Sequence, residues 1–210
     1  MSFTFGKYKN KSIEEVFRND KQYVKWLSKQ QWFQVNHSEL YRNLMDVFDN
    51  FIPEINKDRF IVYTDGACPN NGNDNALSSI GVHFSEKNPI IIKDVSEALI
   101  LNRHSNNYAE MEAIHTALLL IKKNNIDIPI ELYTDSSYCK SILCEWYEKW
   151  VRNNLLKNKK NISIIEKTYH IYKTFSNINI IHVHSHTNKK DEHSCGNRIA
   201  DQLARDALKK

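Results

Sequence analysis

Short apolar runs and amphipathic stretches alternate along most of the chain. The runs IVYT at 61–64 and IELYT at 130–134 are rich in β-branched and aromatic residues, which is typical of strands. Between residues 105 and 123 apolar residues recur at helical spacing, which predicts a long helix. The elements predicted in chain order are strands at 59–65, 79–85 and 90–97, a helix at 105–123, a strand at 130–135, short helices at 136–150, a helix at 162–175, a strand at 178–184 and a helix at 196–208. This order indicates a mixed α/β sheet with helices on its faces.

The first 50 residues follow a different pattern. The segment FTFGKYKNKS predicts two short strands around a Lys-Asn turn. Ser12 and Glu15 have the spacing of a capping box, which predicts the start of a helix, and a second helix is predicted over residues 20–33. The apolar stripe predicted for this second helix consists of Tyr23, Val24, Trp26 and Leu27. The pattern at residues 40–48 fits either a helix or a connector.

The polar stretch at 50–58 contains a proline, which indicates a domain boundary. We therefore expect a small N-terminal α+β module at 1–50, a linker at 51–58 and a main domain at 59–210. The four cysteines show no paired spacing and the N-terminal stretch has no apolar signal segment, so we expect reduced thiols and an intracellular protein, with cytoplasm, nucleus and virus-infected cell left open. No run approaches about 18 apolar residues, so we expect no membrane partner. The net charge of +4 is compatible with a polyanionic partner but does not require one.

Two of the predicted strands end on a carboxylate. Asp65 follows the first of them and Asp135 follows the strand at 130–134. If the two strands pair side by side, their ends bring these carboxylates together. Each residue also has an ordinary structural explanation, since Asp135 could cap the following helix and Asp65 could belong to the turn GACPNNG.

Two further carboxylates strengthen the case for a site. Glu110 lies on the predicted buried stripe of the long helix, and Asp201 lies between apolar positions of the final helix. The stripe continues from Glu110 through Ala113, Ile114, Ala117, Leu120 and Ile121. A buried carboxylate costs several kcal/mol unless it is paired or holds a cation. Oxygen ligands suit Mg²⁺, and two such ions about 4 Å apart would suit phosphoryl displacement.

Five segments occur in a fixed order between residues 59 and 208: YTDGACPNNG, SSIGV, RHSNNYAEMEAI, YTDSSY and HVHSH…GNRIADQLA. Together they resemble the type 1 ribonucleases H. The resemblance implies a five-stranded mixed sheet flanked by helices. It also implies endonucleolytic cleavage of the RNA strand in RNA–DNA hybrids with two Mg²⁺ ions, leaving 5′-phosphate and 3′-hydroxyl ends. Mn²⁺ is the alternative ion.

The resemblance assigns roles to individual residues. It implies Asp65, Glu110, Asp135 and Asp201 as metal ligands, and His186 as a loop residue that assists product release or proton movement. The implied substrate contacts are Asn71, Asn106 and Asn107 on the RNA strand, Arg103, Ser105 and Asn161 around a DNA phosphate, and Tyr138 and Trp150 along the DNA strand. Amides suit the first of these roles because they donate to and accept from the 2′-hydroxyl that distinguishes RNA from DNA.

The chain departs from the family pattern in one place. Nine residues, TNKKDEHSC, separate His186 from the segment GN, and the usual spacer is shorter. The basic stretch EKWVRNNLLKNKKN stands where some members carry a substrate-binding protrusion, although a solvated loop has the same composition. A zinc site is a further alternative near the spacer; its candidate ligands are His182, His184, His186, His193 and Cys195.

The N-terminal segment FTFGKYKNKSIEEVFRNDKQYVKWLSKQ is similar to the C-terminal module of exodeoxyribonuclease X. Two interpretations of its aromatic and basic residues stay open. They form a nucleic-acid surface, or the aromatics form the core and the lysines a solvated face. The residues concerned are Lys7, Lys9, Lys11 and Lys25 with Tyr8, Trp26 and Trp32.

The hypothesis from the sequence is a monomeric, Mg²⁺-dependent ribonuclease H that acts on RNA–DNA hybrids. A DNA-directed nuclease of the same fold is one alternative, and a non-catalytic hybrid-binding protein is another. The asparagines expected at the 2′-hydroxyls argue against the first. The complete set of four acids argues against the second.

Overall fold

The computed structural model describes residues 1–50, 56–184 and 191–209. The chain divides into two compact units, Met1–Glu54 and Ile55–Lys210. Each has its own buried apolar cluster. No helix in the described ranges is long and apolar enough to cross a membrane.

The second unit is built around a five-stranded mixed sheet with the strand order β3-β2-β1-β4-β5. The strands are β1 (Phe60–Ala67), β2 (Ser79–Phe84), β3 (Val95–Ala98), β4 (Ile130–Thr134) and β5 (Ile178–His182). β1 to β3 form an antiparallel meander, whereas β4 and β5 run parallel to β1. The sequence prediction of a five-stranded mixed sheet with flanking helices is confirmed.

Helices cover both faces of this sheet. The helices of the second unit are α5 (Asn106–Lys123), α6 (Ser137–Ser141), α7 (Tyr147–Arg152), α8 (Ile162–Tyr172) and α9 (Glu192–Ala207), with a π-helical turn at Ile142–Trp146 and a 3₁₀ turn at Leu156–Asn158. Phe60 and Val62 of β1 belong to the large core with α5 and α8, whereas Ile61 and Tyr63 pack with Ala200 of α9. β1 is therefore buried on both faces, which explains its continuous apolar sequence.

Two glycines set how closely the helices approach the sheet. A Cβ at Gly66 would overlap the backbone of Ala109 and Glu110 at the start of α5. A Cβ at Gly81 would overlap the backbone of Ala200 in α9. Because neither glycine has a side chain, the start of α5 and the middle of α9 both lie directly against the central strands.

Two element boundaries in this unit were predicted wrongly. The strand expected at 90–97 begins only at Val95. Before it, the Asp94 side chain accepts hydrogen bonds from the Phe84 amide and from His83, which takes the place of strand pairing. Ile91 is 93% exposed and does not pack on the sheet. The helix expected to start at residue 196 begins at Glu192, because the Asp191 side chain caps it by accepting from the Ser194 amide.

The first unit is helical. Its helices are α1 (Ile13–Asn19), α2 (Lys21–Ser28), α3 (Gln31–Asn36) and α4 (Ser38–Asn50). Ser12 caps α1 by accepting from the Glu15 amide, as the capping-box spacing predicts. The two predicted N-terminal strands are wrong: one isolated bridge joins Ser2 to Ser12, because left-handed Gly6 and Asn10 curl the intervening chain into turns.

The single helix predicted over 20–33 is also wrong. Leu27 and Phe33 are both fully buried in the same core, yet six positions on one helix would place them about 120° apart. The helix instead ends before Gln30, whose extended backbone separates α2 from α3. This break lets Leu27 and Phe33 point into the same core. Trp26, predicted on the apolar stripe, is 52% exposed, since the stripe that reaches the core is Val24 and Leu27.

Candidate active site

Two carboxylates meet at the carboxyl ends of neighbouring parallel strands. β1 and β4 pair with Thr64 opposite Thr134. Asp65 directly follows Thr64, and Asp135 directly follows Thr134. The register therefore puts the two carboxylates side by side at one end of the paired strands. Asp65 is 8% exposed and accepts a 2.7 Å hydrogen bond from the Gly66 amide.

Two helices add the other two carboxylates. Glu110 comes from the first turns of α5, and Asp201 comes from α9. All four acids line one cleft of about 680 Å³, together with Asn106 and Arg205. The helical stripe predicted to follow Glu110 is buried at Ala113, Ile114, Ala117 and Ile121.

The cleft concentrates negative charge. Burial, together with the negative charges of Asp135, Asp201 and Glu110, raises the pKa of Asp65 to about 8. The hydrogen bond from the Gly66 amide lowers this pKa and offsets part of the rise. Burial also raises the pKa of Asp135 and of Glu110. Within the described ranges none of these three carboxylates with a raised pKa forms an ion pair with lysine or arginine.

Glu110 is held by neutral donors. Its Oε1 accepts from the Asn106 side-chain amide at 2.5 Å, and its Oε2 accepts from the Ser136 hydroxyl and lies 3.9 Å from the Cys139 sulfur. Ser136 also caps α6 through the Cys139 amide. Sequence reasoning missed Ser136, although its position directly after Asp135 at a helix start was a usable signal.

One face of α9 contributes three polar side chains to the site. Asn197, Asp201 and Arg205 are four residues apart and therefore lie along one face. Asn197 is 4% exposed, and its side chain acts on Asp135 to lower the pKa of that carboxyl, against the effect of burial. The Arg205 Nε lies 2.8 Å from Asp201 Oδ1. Asn197 and Arg205 were missed from the sequence, although the spacing of four from Asp201 could have identified both.

The donor set fits a hard divalent cation. Four carboxylates supply oxygen ligands, and in the described parts of the chain Arg205 on Asp201 is the ion pair that these carboxylates form. In residues 1–50, 56–184 and 191–209, however, no three His, Cys, Asp or Glu side chains converge closely enough to hold a metal ion. Asp201 is instead paired with Arg205, so metal binding requires that side chain to exchange partners, whereas each Glu110 oxygen can keep its hydrogen bond and offer a second lone pair to a cation.

Comparison with known proteins decides the class of this fold. The family described as RNase H matches residues 57–209. The chain belongs to the RNase H family. The ribonuclease H of Clostridium botulinum (strain Hall) is 31% identical over 157 residues, covering 71% of this chain and 95% of that protein. Residues 3–31 match a second family, described as the exodeoxyribonuclease X-like C-terminal module.

Solved structures agree on the fold. RNase H1 from the archaeon Halobacterium salinarum NRC-1 is 23% identical, with a TM-score of 0.51, and the match covers 72% of this chain and 98% of that one. A foamy viral protease–reverse transcriptase solved in complex with an RNA/DNA hybrid is 22% identical, with a TM-score of 0.57, and the match covers 81% of this chain and 26% of that one. The protein is thus a ribonuclease H, a hydrolytic endonuclease.

The asparagines expected at the RNA strand of this ribonuclease H cluster at the cleft rim. Asn71 Oδ1 accepts from the Asn106 amide at 3.2 Å, so the loop after β1 is tied to the start of α5. Asn106 also faces Glu110, and Asn107 is exposed on the same helical turn. The structure therefore places Asn106 next to Glu110, with Asn71 and Asn107 beside Asn106.

Two of the three residues expected around a DNA phosphate contact each other. The Asn161 side-chain amide donates to Ser105 Oγ at 3.3 Å, although the two residues are far apart in sequence. Ser105 caps α5, and Asn161 has a left-handed backbone. Arg103 is exposed two residues before Ser105.

The expected aromatic pair is part of a longer row. Tyr138 contacts Trp146 at 6.1 Å between ring centroids, and Trp146 contacts Trp150 at the same distance. Lys159 Nζ lies 4.4 Å from the centre of the Trp150 ring. Trp146, which links the two predicted residues, was missed because it falls in the π-helical turn, where helical spacing does not apply.

The described histidines and cysteine of the zinc alternative have separate partners. His182 Nε2 donates to the Asp135 carbonyl at 3.1 Å, and the His184 ring lies 5.2 Å from that of His182. His193 stacks on Tyr133 at 4.1 Å, and Cys195 lies 2.9 Å from Arg198. His186 lies outside the described residues.

Proposed function

We propose that this ribonuclease H hydrolyses the RNA strand of RNA–DNA hybrids by two-metal-ion catalysis with Mg²⁺, or alternatively Mn²⁺, leaving 5′-phosphate and 3′-hydroxyl ends. The observation that carries the proposal is the gathering of four carboxylates in one cleft, where burial and the neighbouring acids raise the pKa of Asp65. Asp65, Glu110, Asp135 and Asp201 would hold the ions. Bound Mg²⁺ supplies an activated water at neutral pH and neutralises charge on the leaving oxygen.

The chain's own residues orient this site. Ser136 and Asn106 each donate to one oxygen of Glu110, so they fix the plane of that carboxylate. Asn197 acts in the same way on Asp135 from within a buried environment. Such hydrogen bonds keep the ligands in place while the charge in the cleft changes during the reaction.

Substrate recognition would use the two surfaces next to the cleft. Asn71, Asn106 and Asn107 are proposed to contact bases and 2′-hydroxyls of the RNA strand, where amides both donate and accept. Arg103, Ser105 and Asn161 are proposed to hold a phosphate of the DNA strand, whose sugars stack along Tyr138 and Trp150. His186 is proposed to assist product release, and the enzyme to act as a monomer.

The experiment compares labelled RNA–DNA hybrid, RNA duplex and DNA duplex of one sequence, with Mg²⁺ and with chelator. Cleavage of the hybrid alone, restricted to the RNA strand and lost with chelator, is the expected result. Asp135→Asn and Glu110→Gln should each reduce cutting below detection while circular dichroism is unchanged.

Glu112→Gln is the matched control, because it removes a carboxylate two positions from Glu110 on the same helix and outside the cleft. It should cut at the wild-type rate. Full activity of Asp135→Asn would refute the ligand assignment. Cleavage of the DNA duplex in preference to the hybrid would identify a DNA-directed nuclease instead.

A further inference from the structure

Two tryptophans of the first unit lie outside its core. That core is complete without them and consists of Phe3, Ile13, Val16, Phe17, Val24, Leu27, Phe33, Leu40 and Leu44. Trp26 at the end of α2 is 52% exposed, and Trp32 at the start of α3 is 43% exposed. Tryptophan is normally well buried, so two exposed rings within seven positions indicate a role other than packing.

The rings are supported from below by other aromatics. The Trp26 ring packs against the Tyr23 ring with 5.8 Å between their centroids, and the Tyr23 ring contacts the Tyr8 ring at 4.9 Å. Trp32 contacts Phe5 at 5.5 Å, and Phe5 stacks on His37 at 4.3 Å. Each tryptophan therefore has one edge held against the module, while a large part of its ring remains open to solvent.

Uncompensated positive charge lies beside Trp26. Lys25 in the last turn of α2 and Lys29, the C-cap residue with helical backbone, are four residues apart, so they share a face that Trp26 borders. Trp32 follows Lys29 by three residues, in the first turn of α3. Both lysines are exposed and form no ion pair within the part of the chain that the structure describes. No acidic residue occurs between Asp20 and Glu39. By contrast, Lys7 and Lys11 are paired with Asp20 and Glu15.

We propose that this α2–α3 corner surface, formed by Lys25, Trp26, Lys29 and Trp32, binds an unpaired nucleic-acid strand. Flat rings open on one side accept stacked bases, and neighbouring unpaired lysines accept the phosphates between them. The bases of a duplex are already stacked on one another, so a paired substrate gains only the phosphate contacts. The surface would thus hold single-stranded regions independently of the catalytic cleft.

The test measures binding of the full chain to fluorescein-labelled oligo(dT) by anisotropy, in chelator, across a series of salt concentrations. Trp26→Leu and Trp32→Leu keep an apolar side chain but remove the flat ring, and each should weaken binding about fivefold or more. The double variant Lys25→Gln/Lys29→Gln should reduce the slope of log affinity against log salt by about 1.4.

Two controls separate this role from a general loss of structure. Trp26→Phe keeps a stacking ring and should bind within about threefold of the wild type. Lys7→Gln/Lys11→Gln removes an equal charge from the same unit, but from lysines already paired with Asp20 and Glu15, and should leave the slope unchanged. Wild-type affinity in both Leu variants, or equal losses for oligo(dT) and a blunt DNA duplex, would overturn the proposal. None of these outcomes depends on RNA cleavage.

Discussion

Replacing Asp65 by asparagine should stabilise the metal-free protein while removing its activity. Asparagine has nearly the same shape and keeps an oxygen that can accept from the Gly66 amide. What it lacks is the ionisable carboxyl group, which in the wild type belongs to a residue that is only 8% exposed. The substitution therefore isolates the cost of placing a carboxylate at the centre of the cleft.

The size of the effect follows from the pKa. The Asp65 carboxyl has an ordinary pKa of 3.8, as expected in the unfolded chain, and a pKa of about 8 in the fold. Below the ordinary pKa both states hold the proton, and the carboxyl costs nothing. As the pH rises towards 8 only the folded state holds it, so stability falls by about 1.4 kcal/mol per pH unit and levels off above pH 8. At pH 7 the ionisable carboxyl of Asp65 can therefore lower the free energy of unfolding by at most about 4 kcal/mol. Relaxation of the surrounding protein should reduce this cost to about 2 to 4 kcal/mol.

Urea unfolding of both proteins in chelator at pH 5, 7 and 8.5 measures this difference. The stability gap should widen from pH 5 to pH 8.5 and narrow in 10 mM Mg²⁺, because the ion binds the folded wild type more tightly than the variant. Asp58→Asn, at an exposed position before β1, is the control and should show no gap. Equal stability of Asp65→Asn and wild type at pH 7 and 8.5 would refute the account of a strained carboxylate cluster.

Three further substitutions test the surroundings of the cleft. Arg205→Gln should tighten Mg²⁺ binding about threefold or more by calorimetry, because the guanidinium that occupies Asp201 is removed; weaker binding would contradict this. Ser136→Ala should lower kcat about tenfold with little change in KM, since Glu110 loses a donor, and Ser136→Thr should restore it; an unchanged kcat would contradict the positioning role. Gly81→Ala should destabilise the fold by about 3 kcal/mol in urea, because its Cβ overlaps the α9 backbone; a loss under 0.5 kcal/mol would be inconsistent with that packing.

The parts of the site that were predictable from the sequence lie on regular elements. Asp65 and Asp135 each end an apolar run, and parallel pairing of those runs is enough to bring them together. Glu110 was identifiable because a carboxylate on a buried helical stripe needs an explanation. In each case the relevant information is local periodicity combined with one rule of sheet geometry.

The parts that were not predictable depend on tertiary packing. The break between α2 and α3 has no glycine or proline to mark it and exists because Leu27 and Phe33 share one core. Trp26 was predicted on the apolar stripe, whereas the side of α2 that reaches this core carries Val24 and Leu27. The pairing of Asn161 with Ser105 joins residues that no local pattern connects.

The four carboxylates belong to β1, α5, β4 and α9, and this distribution governs when the enzyme can act. A chain whose sheet has formed but whose α9 is undocked from Gly81 holds Asp65 and Asp135 without Asp201, and it should be inert towards any polynucleotide. If these four carboxylates are the proposed ligands, activity therefore requires the complete tertiary structure. Damage to any of the four elements should then abolish cleavage and not produce a less selective nuclease.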